Sequence, residues 1–428
     1  MARIYPFRGF RYAPERVGDL AKVVTQPYDK IPEELRREYL QRSPYNIVRV
    51  IKNPDYREAA EFLRHWISDG VLRQDEKPAL YLYEQQFSFE GEPLIRRGII
   101  GLLALDDPDS VVHGHETVLE SPLQDRLALI RQTEANEGLV FTLFSDPTRR
   151  FDTVLEEISR EGAPVAVVED DFHVINRLWR MTDPDQIAAV SAALAGSPLY
   201  IADGHHRFQT SVLFYRECLA RGWKPAASES FDKRMVAVFN MESEGMRILP
   251  THRGVRDLPA WSAAAFLREL QRYFTVESAS LAEVWERVAE GRHVFGFCWR
   301  DGSDVPAVAA RLRPEALTAG RLSDVAEPLR ELDVTILHEL VLHEILGVDP
   351  EAVTAGKHVR YYRERELLVD AVSRGELQLG CLLRPTALAE VRRVAEAGFR
   401  MPQKSTDFYP KLLTGLVLMK MAIRRSGT

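Results

Sequence analysis

Five consecutive residues carry the densest chemistry in this chain: Asp203, Gly204, His205, His206 and Arg207. An apolar, β-prone run precedes them at 199–202, and apolar residues with helical spacing follow them over 208–219. This pattern predicts a strand, a glycine turn and the start of a helix. The first N–H groups of a helix lack intrahelical partners and carry partial positive charge, so such a turn collects anions.

The side chains of this stretch suit a phosphate. Gly204 lets a ligand approach the backbone closely, and Arg207 can donate two parallel hydrogen bonds to one phosphate. His205 and His206 add further donors, and Asp203 supplies a carboxylate that can hold Mg²⁺ beside the phosphate. The same residues would also serve a plain helix start with an Asp cap and two solvated histidines.

A second candidate is the loop that contains His115 and Glu116. A glutamate with neighbouring histidines is typical of a general base, although an ordinary surface loop has the same composition. His113 and His115 could join the two motif histidines around a structural zinc, but nothing in their spacing indicates a tetrahedral site.

The third candidate is the loop with Lys404, Ser405 and Thr406, which Lys411 follows. Two cations and two hydroxyls suit phosphates, whereas a solvated loop is the alternative. The chain has neither the Walker sequence GxxxxGK[ST] nor the GxGxxG fingerprint. His252 and Arg253, at a proline-marked turn, are predicted to bind substrate, although folding alone could require them.

Phosphoryl transfer is the reaction class that these residue types fit. It needs phosphate donors, a divalent metal and a base for the acceptor hydroxyl, but little covalent chemistry from the protein. Ser121 and Ser211 lack the context of a nucleophile elbow. His338 and His343 are five residues apart, so they do not form the HExxH motif of a zinc protease.

Length and composition indicate a globular protein of two or three domains. The 428 residues are 45% hydrophobic and 28% charged, with a net charge of −7, which disfavours a protein that coats nucleic acid. Three scattered cysteines suit a reducing cytoplasm, and no apolar run is long enough for a membrane span or a signal peptide. We therefore predict a cytoplasmic protein without nucleic-acid or membrane partners; a homo-oligomer is possible.

The elements indicate a mixed α/β fold, in four segments. We predict an N-terminal α/β segment over 1–107, a catalytic core over 108–257, an inserted α/β domain over 258–377, and a C-terminal segment over 378–428 that returns to the active site. Within them we expect a hairpin of strands 79–89 and 95–105, a strand at 47–51, a long helical region at 329–346 and a last strand at 415–419.

Several motifs in order carry a family resemblance: Pro6-Phe7-Arg8-Gly9, Pro27-Tyr28-Asp29, Pro44-Tyr45-Asn46-Ile47-Val48-Arg49, His115-Glu116, Asp203-Gly204-His205-His206-Arg207, Leu249-Pro250-Thr251-His252-Arg253 and Met401-Pro402-Gln403-Lys404-Ser405-Thr406. With them the chain resembles, over almost its whole length, the bacterial family known as domain of unknown function 1015. The Asp-Gly-His-His-Arg motif is also similar to that of the ParB/sulfiredoxin-like superfamily, and most of all to the archaeal free serine kinases.

This resemblance implies a ParB/sulfiredoxin-like core and a kinase that makes O-phospho-L-serine from L-serine with ATP or ADP and Mg²⁺. It implies a catalytic role for Glu116, Asp203 and His206, and Mg²⁺ binding by Asp203. It implies contacts to the nucleotide and its phosphates from six residues: Gly204, His205, Arg207, Lys404, Ser405 and Thr406. Two alternatives stay open at this stage: a ParB-like regulatory protein that binds a nucleotide without turnover, and a kinase for another small hydroxyl compound.

Overall fold

The computed structural model describes residues 3–108 and 110–426. By its internal contacts the chain divides into two compact units. Unit 1 comprises residues 1–114, 118–247 and 410–428, and unit 2 comprises residues 115–117 and 248–409. Both combine helices with sheets, so the predicted mixed α/β class is confirmed.

A nine-stranded mixed sheet forms the centre of unit 1. Eight of its strands run, in spatial order, Val112–His113, Leu199–Asp203, Val140–Phe144, Lys233–Asn240, Glu92–Ala104, Leu80–Phe89, Ile175–Met181 and Ala166–Glu169; the ninth, Ile4–Tyr5, pairs with Glu92–Ala104. Strands before and after residue 107, the predicted end of the N-terminal segment, both belong to this sheet. Further short strands are Phe10–Tyr12, Leu72–Gln74, Ala135–Asn136, Lys224–Pro225, Met419–Lys420 and Ile423–Arg424.

Helices cover this sheet and bury its apolar side chains. The helices of unit 1 are Pro14–Val17, Glu33–Arg42, Val48–Ile51, Tyr56–Ser68, Glu120–Thr133, Arg150–Glu161, Pro184–Leu194 and His205–Ala220, with 3-10 turns at Leu20–Lys22 and Tyr28–Lys30. The main core joins sheet residues such as Val236 and Leu199 to helix residues such as Phe151, Val190 and Val212. The strand Leu199–Asp203 and the helix His205–Ala220 are therefore anchored in this apolar cluster.

Unit 2 is built on a six-stranded sheet. Its strands run, in spatial order, Phe274–Ala279, Ala307–Leu312, Val294–Cys298, Leu379–Leu382, His252–Val255 and Val359–Tyr362. The surrounding helices are Ala263–Leu270, Leu281–Glu290, Glu327–Arg330, Asp333–Ile336, Pro350–Thr354, Arg365–Ser373 and Leu388–Glu396, with a π-helical stretch at Leu337–Ile345 and 3-10 turns at Pro314–Thr318 and Gly320–Asp324. Two more short strands are Arg247–Ile248 and Phe408–Tyr409.

The structure confirms some of the predicted elements and corrects others. The hairpin is present as Leu80–Phe89 and Glu92–Ala104. The predicted strand at 47–51 is wrong: these residues form a buried helical turn, because the Asn46 side chain accepts a hydrogen bond from the backbone N–H of Val48 at 2.9 Å. The predicted strand at 415–419 is also wrong, since Gly415 has φ of 105° and only Met419–Lys420 extends. The helical region at 329–346 is present but interrupted at residues 331–332.

Within the described ranges, no helix combines the length and the apolar composition that a membrane crossing requires.

Candidate functional site

The motif of unit 1 has the predicted strand, turn and helix. The motif strand, Leu199–Asp203, ends in Asp203, and the motif helix, His205–Ala220, begins two residues later. Gly204 caps the helix with φ of 97°, a left-handed conformation that favours glycine. A Cβ atom on Gly204 would lie 3.1 Å from the Arg207 guanidinium, so the glycine also makes room for that side chain.

Asp203 is the centre of a buried ion-pair cluster. Its Oδ1 lies 3.1 Å from Lys411 Nζ, and its Oδ2 accepts a hydrogen bond from Arg207 Nη2. Burial alone would raise the pKa of the Asp203 carboxyl, but Lys411, Arg207 and Lys30 outweigh it and hold that pKa well below its ordinary value. Asp203 is therefore an anion at neutral pH.

Arg207 and the two histidines fix the start of the motif helix. Arg207 also donates from Nη1 to the backbone oxygen of Leu139, which orients its guanidinium. His206 Nε2 accepts a hydrogen bond from the backbone N–H of Leu119 at 3.0 Å, so a neutral His206 ring carries its proton on Nδ1. His205 is buried, and Gly114 packs closely against its ring.

In unit 2 the structure brings two predicted motifs together. Glu116 forms a parallel β-bridge with Met401, and the backbone N–H of Met401 donates to the oxygen of His115 at 2.7 Å. The His115 ring is fully buried, and its Nε2 lies 3.0 Å from Thr406 Oγ1. The candidate base, Glu116, is thus a direct neighbour of the loop of residues 401–406, which we call the 401–406 loop.

The 401–406 loop turns sharply, and hydrogen bonds from other parts of unit 2 fix its backbone. Lys404 adopts φ of 55° and is exposed, so its ammonium group is accessible to a ligand. Ser405 is buried, with its backbone oxygen accepting from Thr386 Oγ1 at 2.7 Å. Arg253 Nη2 donates to the backbone oxygen of Lys404 at 3.0 Å. The loop therefore presents Lys404 from a braced backbone.

His252 and Arg253, the predicted substrate ligands, lie in the strand His252–Val255 and are buried. His252 Nδ1 accepts from the backbone N–H of Leu383 at 3.2 Å; burial first, and Arg253 second, lower the pKa of His252 to about 4. The hydrogen bonds of both residues are with other residues of the protein, and Arg253 supports the 401–406 loop through its bonds to the backbone oxygens of Gln403 and Lys404. Their role toward substrate stays a prediction.

The sequence predicts Asp203 as the residue that binds Mg²⁺. Both of its oxygens bond cations in the structure, so direct ligation of Mg²⁺ there requires Lys411 or Arg207 to move. Across residues 3–108 and 110–426, no group of three or more His, Cys, Asp and Glu side chains is arranged to hold a metal ion. The metal role of Asp203 stays a prediction.

Sequence reasoning missed two buried charges beside the motif, Glu137 and Arg234. Each has a faint signal in the sequence: Arg234 opens the otherwise apolar run 235–239, and Glu137 precedes the apolar strand Val140–Phe144. The sequence also predicts that Lys411 acts together with Lys404 at a phosphate, whereas in the structure Lys411 pairs with Asp203. A pairing across 208 residues leaves no local pattern from which to predict it.

Comparison with solved structures finds distant likenesses. One is free serine kinase in complex with AMP, with 13% identity and a TM-score of 0.36 over 72% of this chain and 86% of the other. Another is a conserved hypothetical protein from Pyrococcus furiosus, with 12% identity and a TM-score of 0.35 over 76% and 95% of the two chains. SbnI with C-terminal truncation from Staphylococcus aureus has 12% identity and a TM-score of 0.34 over 77% and 83%.

Among curated proteins, no sequence matches this chain. A family model does match it: the family described as protein of unknown function DUF1015 covers residues 4–335. This range takes in both the Asp203–Arg207 motif and the Glu116 segment, and it spans more than half of the chain. The chain therefore belongs to the DUF1015 family.

Proposed function

We propose that this protein is a small-molecule kinase with a ParB/sulfiredoxin-like core, most specifically a free L-serine kinase. It would transfer a phosphoryl group from ATP or ADP to the serine hydroxyl and release O-phospho-L-serine. The three cysteines are buried, unpaired thiols, in keeping with our proposal that it acts in the cytoplasm.

One observation carries this proposal: the β-bridge between Glu116 and Met401. Phosphoryl transfer to an alcohol needs a base for the hydroxyl proton and cationic or N–H donors for the phosphates. The bridge sets the half-buried residue Glu116 beside a turn that presents Lys404, with Ser405 and Thr406 directly after it. A simple nucleotide-binding module has no need of a carboxylate at this position.

In the proposed reaction, Glu116 takes the proton of the acceptor hydroxyl. The hydroxyl oxygen forms a bond to the terminal phosphorus of the donor, and the bond from that phosphorus to the bridging oxygen breaks, releasing ADP from ATP or AMP from ADP. Lys404, Ser405 and Thr406 hold the remaining phosphates. For the motif of unit 1, we propose that the start of its helix, with Gly204 and Arg207, binds phosphate through its N–H donors and dipole.

The other motif residues have roles in the same proposal. His205 and His206 complete the helix start as phosphate-binding residues, and His206 Nε2 accepts a hydrogen bond from the backbone N–H of Leu119. Asp203 orients Arg207 and Lys411 through the buried ion pairs. We propose that Mg²⁺ accompanies the phosphates of the nucleotide, where it neutralises their charge.

The test is an assay of the purified chain with L-serine, Mg²⁺ and either ATP or ADP, followed by ³¹P NMR detection of O-phospho-L-serine. Glu116→Gln should lower the rate by about 10²–10⁴-fold and leave nucleotide affinity unchanged. Glu120→Gln, at the exposed start of the helix Glu120–Thr133, is the matched control and should retain full activity. No product with either donor, or full activity in Glu116→Gln, would refute the proposal. Nucleotide binding without turnover would favour the regulatory alternative.

A further inference from the structure

A cavity of about 40 Å³ lies within unit 1, beside the motif helix, and its wall combines apolar residues such as Ile51 and Leu129 with charged ones. Three guanidinium groups and one carboxylate line it: Arg126, Arg207, Arg234 and Glu137. Tyr28 and Thr210 add hydroxyl-bearing side chains to the wall. Apart from Arg207, none of these residues has a role in the proposed phosphoryl transfer.

Two of the guanidinium groups have carboxylate partners. Arg126 Nε donates to Asp125 at 2.7 Å, and Arg207 pairs with Asp203. Arg234 differs from them: no carboxylate among residues 3–108 and 110–426 is within ion-pair distance of it, although it is only 4% exposed. Its Nη2 donates to the backbone oxygen of Gly138 and its Nη1 to Ser211 Oγ at 3.5 Å, whereas its Nε has no hydrogen-bond partner within the same ranges.

Glu137 is the acidic group of the wall, and one of its oxygens lacks a hydrogen-bond partner. It is 8% exposed, and its Oε1 has no hydrogen-bond partner in the described parts of the chain. Burial raises the pKa of Glu137, and burial followed by the charge of Arg207 lowers the pKa of Arg234 to about 9. Buried polar groups without partners are costly, and such groups are commonly completed by a ligand or water.

The charges of the wall favour one kind of occupant. A simple anion would pair with the Arg234 guanidinium but would be repelled by an ionised Glu137 carboxylate. A simple cation would pair with that carboxylate but would be repelled by the guanidinium. A zwitterion satisfies both, because its carboxylate pairs with the guanidinium and its ammonium group with the carboxylate. Arg234 and Glu137 therefore complement the two charges of a free amino acid.

The volume restricts the size of that amino acid. A cavity needs about 10–15 Å³ by this measure for one water molecule, so this one holds roughly three, or about 90 Å³ of liquid water. That is the size class of the smallest amino acids and is far below that of a nucleotide.

We propose that this cavity binds a small free α-amino acid, with its carboxylate at Arg234 and its ammonium group at Glu137. The inference deepens the proposed function, and it rests on that function only where the bound amino acid is called the phosphoryl acceptor. Tyr28 and Thr210 offer further polar contacts to the ligand.

Isothermal titration calorimetry on the full chain without nucleotide tests the site. The probes are glycine, L-alanine and L-serine, with acetate as an anion that lacks an ammonium group. At least one amino acid should bind, and acetate should bind at least tenfold more weakly. Glu137→Gln and Arg234→Gln should each weaken amino-acid binding by about tenfold to a hundredfold. Glu161→Gln, an exposed residue of the same unit, should not change it.

Three results would overturn the proposal: no binding of any of the three amino acids, acetate binding as tight as amino-acid binding, or unchanged amino-acid binding in Glu137→Gln. Since Arg234→Gln removes a buried charge and can unfold the chain, the nearly isosteric Glu137→Gln carries the test by itself. Two outcomes separate the two proposals. Amino-acid binding to a wild-type chain that shows no phosphoryl transfer refutes the kinase alone, whereas phosphoryl transfer by a wild-type chain whose amino-acid binding is unchanged in Glu137→Gln refutes this site alone.

Discussion

Replacing Asp203 by Asn tests the ion-pair cluster at the start of the motif helix. The carboxylate is shared by Lys411 and Arg207, and the three side chains are 17%, 7% and 10% exposed. Asn keeps the size of the side chain but leaves two cations against each other in a poorly hydrated site. Removing one partner of a buried ion pair costs about 3–5 kcal/mol of unfolding free energy. At about 2 °C for each kcal/mol, the midpoint of thermal unfolding should fall by roughly 6–10 °C.

Urea unfolding of wild type and Asp203→Asn, followed by circular dichroism, measures this cost. Asp106→Asn is the matched control, because its pair with Arg3 is more than half exposed, and it should change stability by less than about 0.5 kcal/mol. A double variant with Lys411→Met should recover part of the loss, since it removes one of the two stranded cations.

The pH dependence has a definite sign. The pKa of Asp203 is lowered in the folded state, so its contribution is complete above the ordinary Asp pKa of about 4 and is lost as pH falls through the folded pKa. The difference between wild type and Asp203→Asn should therefore stay constant above about pH 5 and shrink at lower pH. A difference within 0.5 kcal/mol at pH 7, or one that grows in acid, would refute the reasoning.

Three further substitutions probe single contacts. Gly204→Ala should lower the unfolding free energy by about 1–3 kcal/mol, because φ of 97° and the Arg207 guanidinium 3.1 Å away both oppose a Cβ atom; an unchanged urea midpoint would contradict this. Thr406→Val should cost about 1 kcal/mol by removing the bond to His115 Nε2, and equal stability would show that the bond is unimportant. Lys404→Ala should weaken ATP binding about tenfold, measured by calorimetry, and leave stability unchanged because the side chain is exposed; unaltered affinity would remove Lys404 from the nucleotide site.

The sequence predicts best those features that repeat over a few residues. The motif strand and helix, and the hairpin Leu80–Phe89 with Glu92–Ala104, follow from apolar spacing and turn residues, and the structure confirms them. The run at 47–51 shows the limit of such patterns. Five residues that are mostly β-branched indicate a strand, but a buried helical turn suits the same residues, and the hydrogen bond that the Asn46 side chain accepts from the Val48 N–H favours the turn.

The interactions of the candidate sites were less predictable. Residue types identified Asp203, Glu116 and Lys404 as chemically capable, but their partners come from distant parts of the chain. The bond of Asp203 to Lys411 spans 208 residues, and the bridge of Glu116 to Met401 spans an even longer stretch of sequence. Such contacts are set by the packing of whole elements. The sequence showed the functional groups, and the structure showed which of them bond one another within each unit.

The most direct test of the account is the initial rate of O-phospho-L-serine formation by wild type and Glu116→Gln, measured by ³¹P NMR at saturating L-serine and nucleotide. We expect the wild-type chain to form the product, and the variant to form it about 10²–10⁴-fold more slowly with an unchanged Kd for the nucleotide. Equal rates in the two proteins would contradict the assignment of Glu116 as the base, and the absence of phosphoserine with both ATP and ADP would contradict the kinase itself.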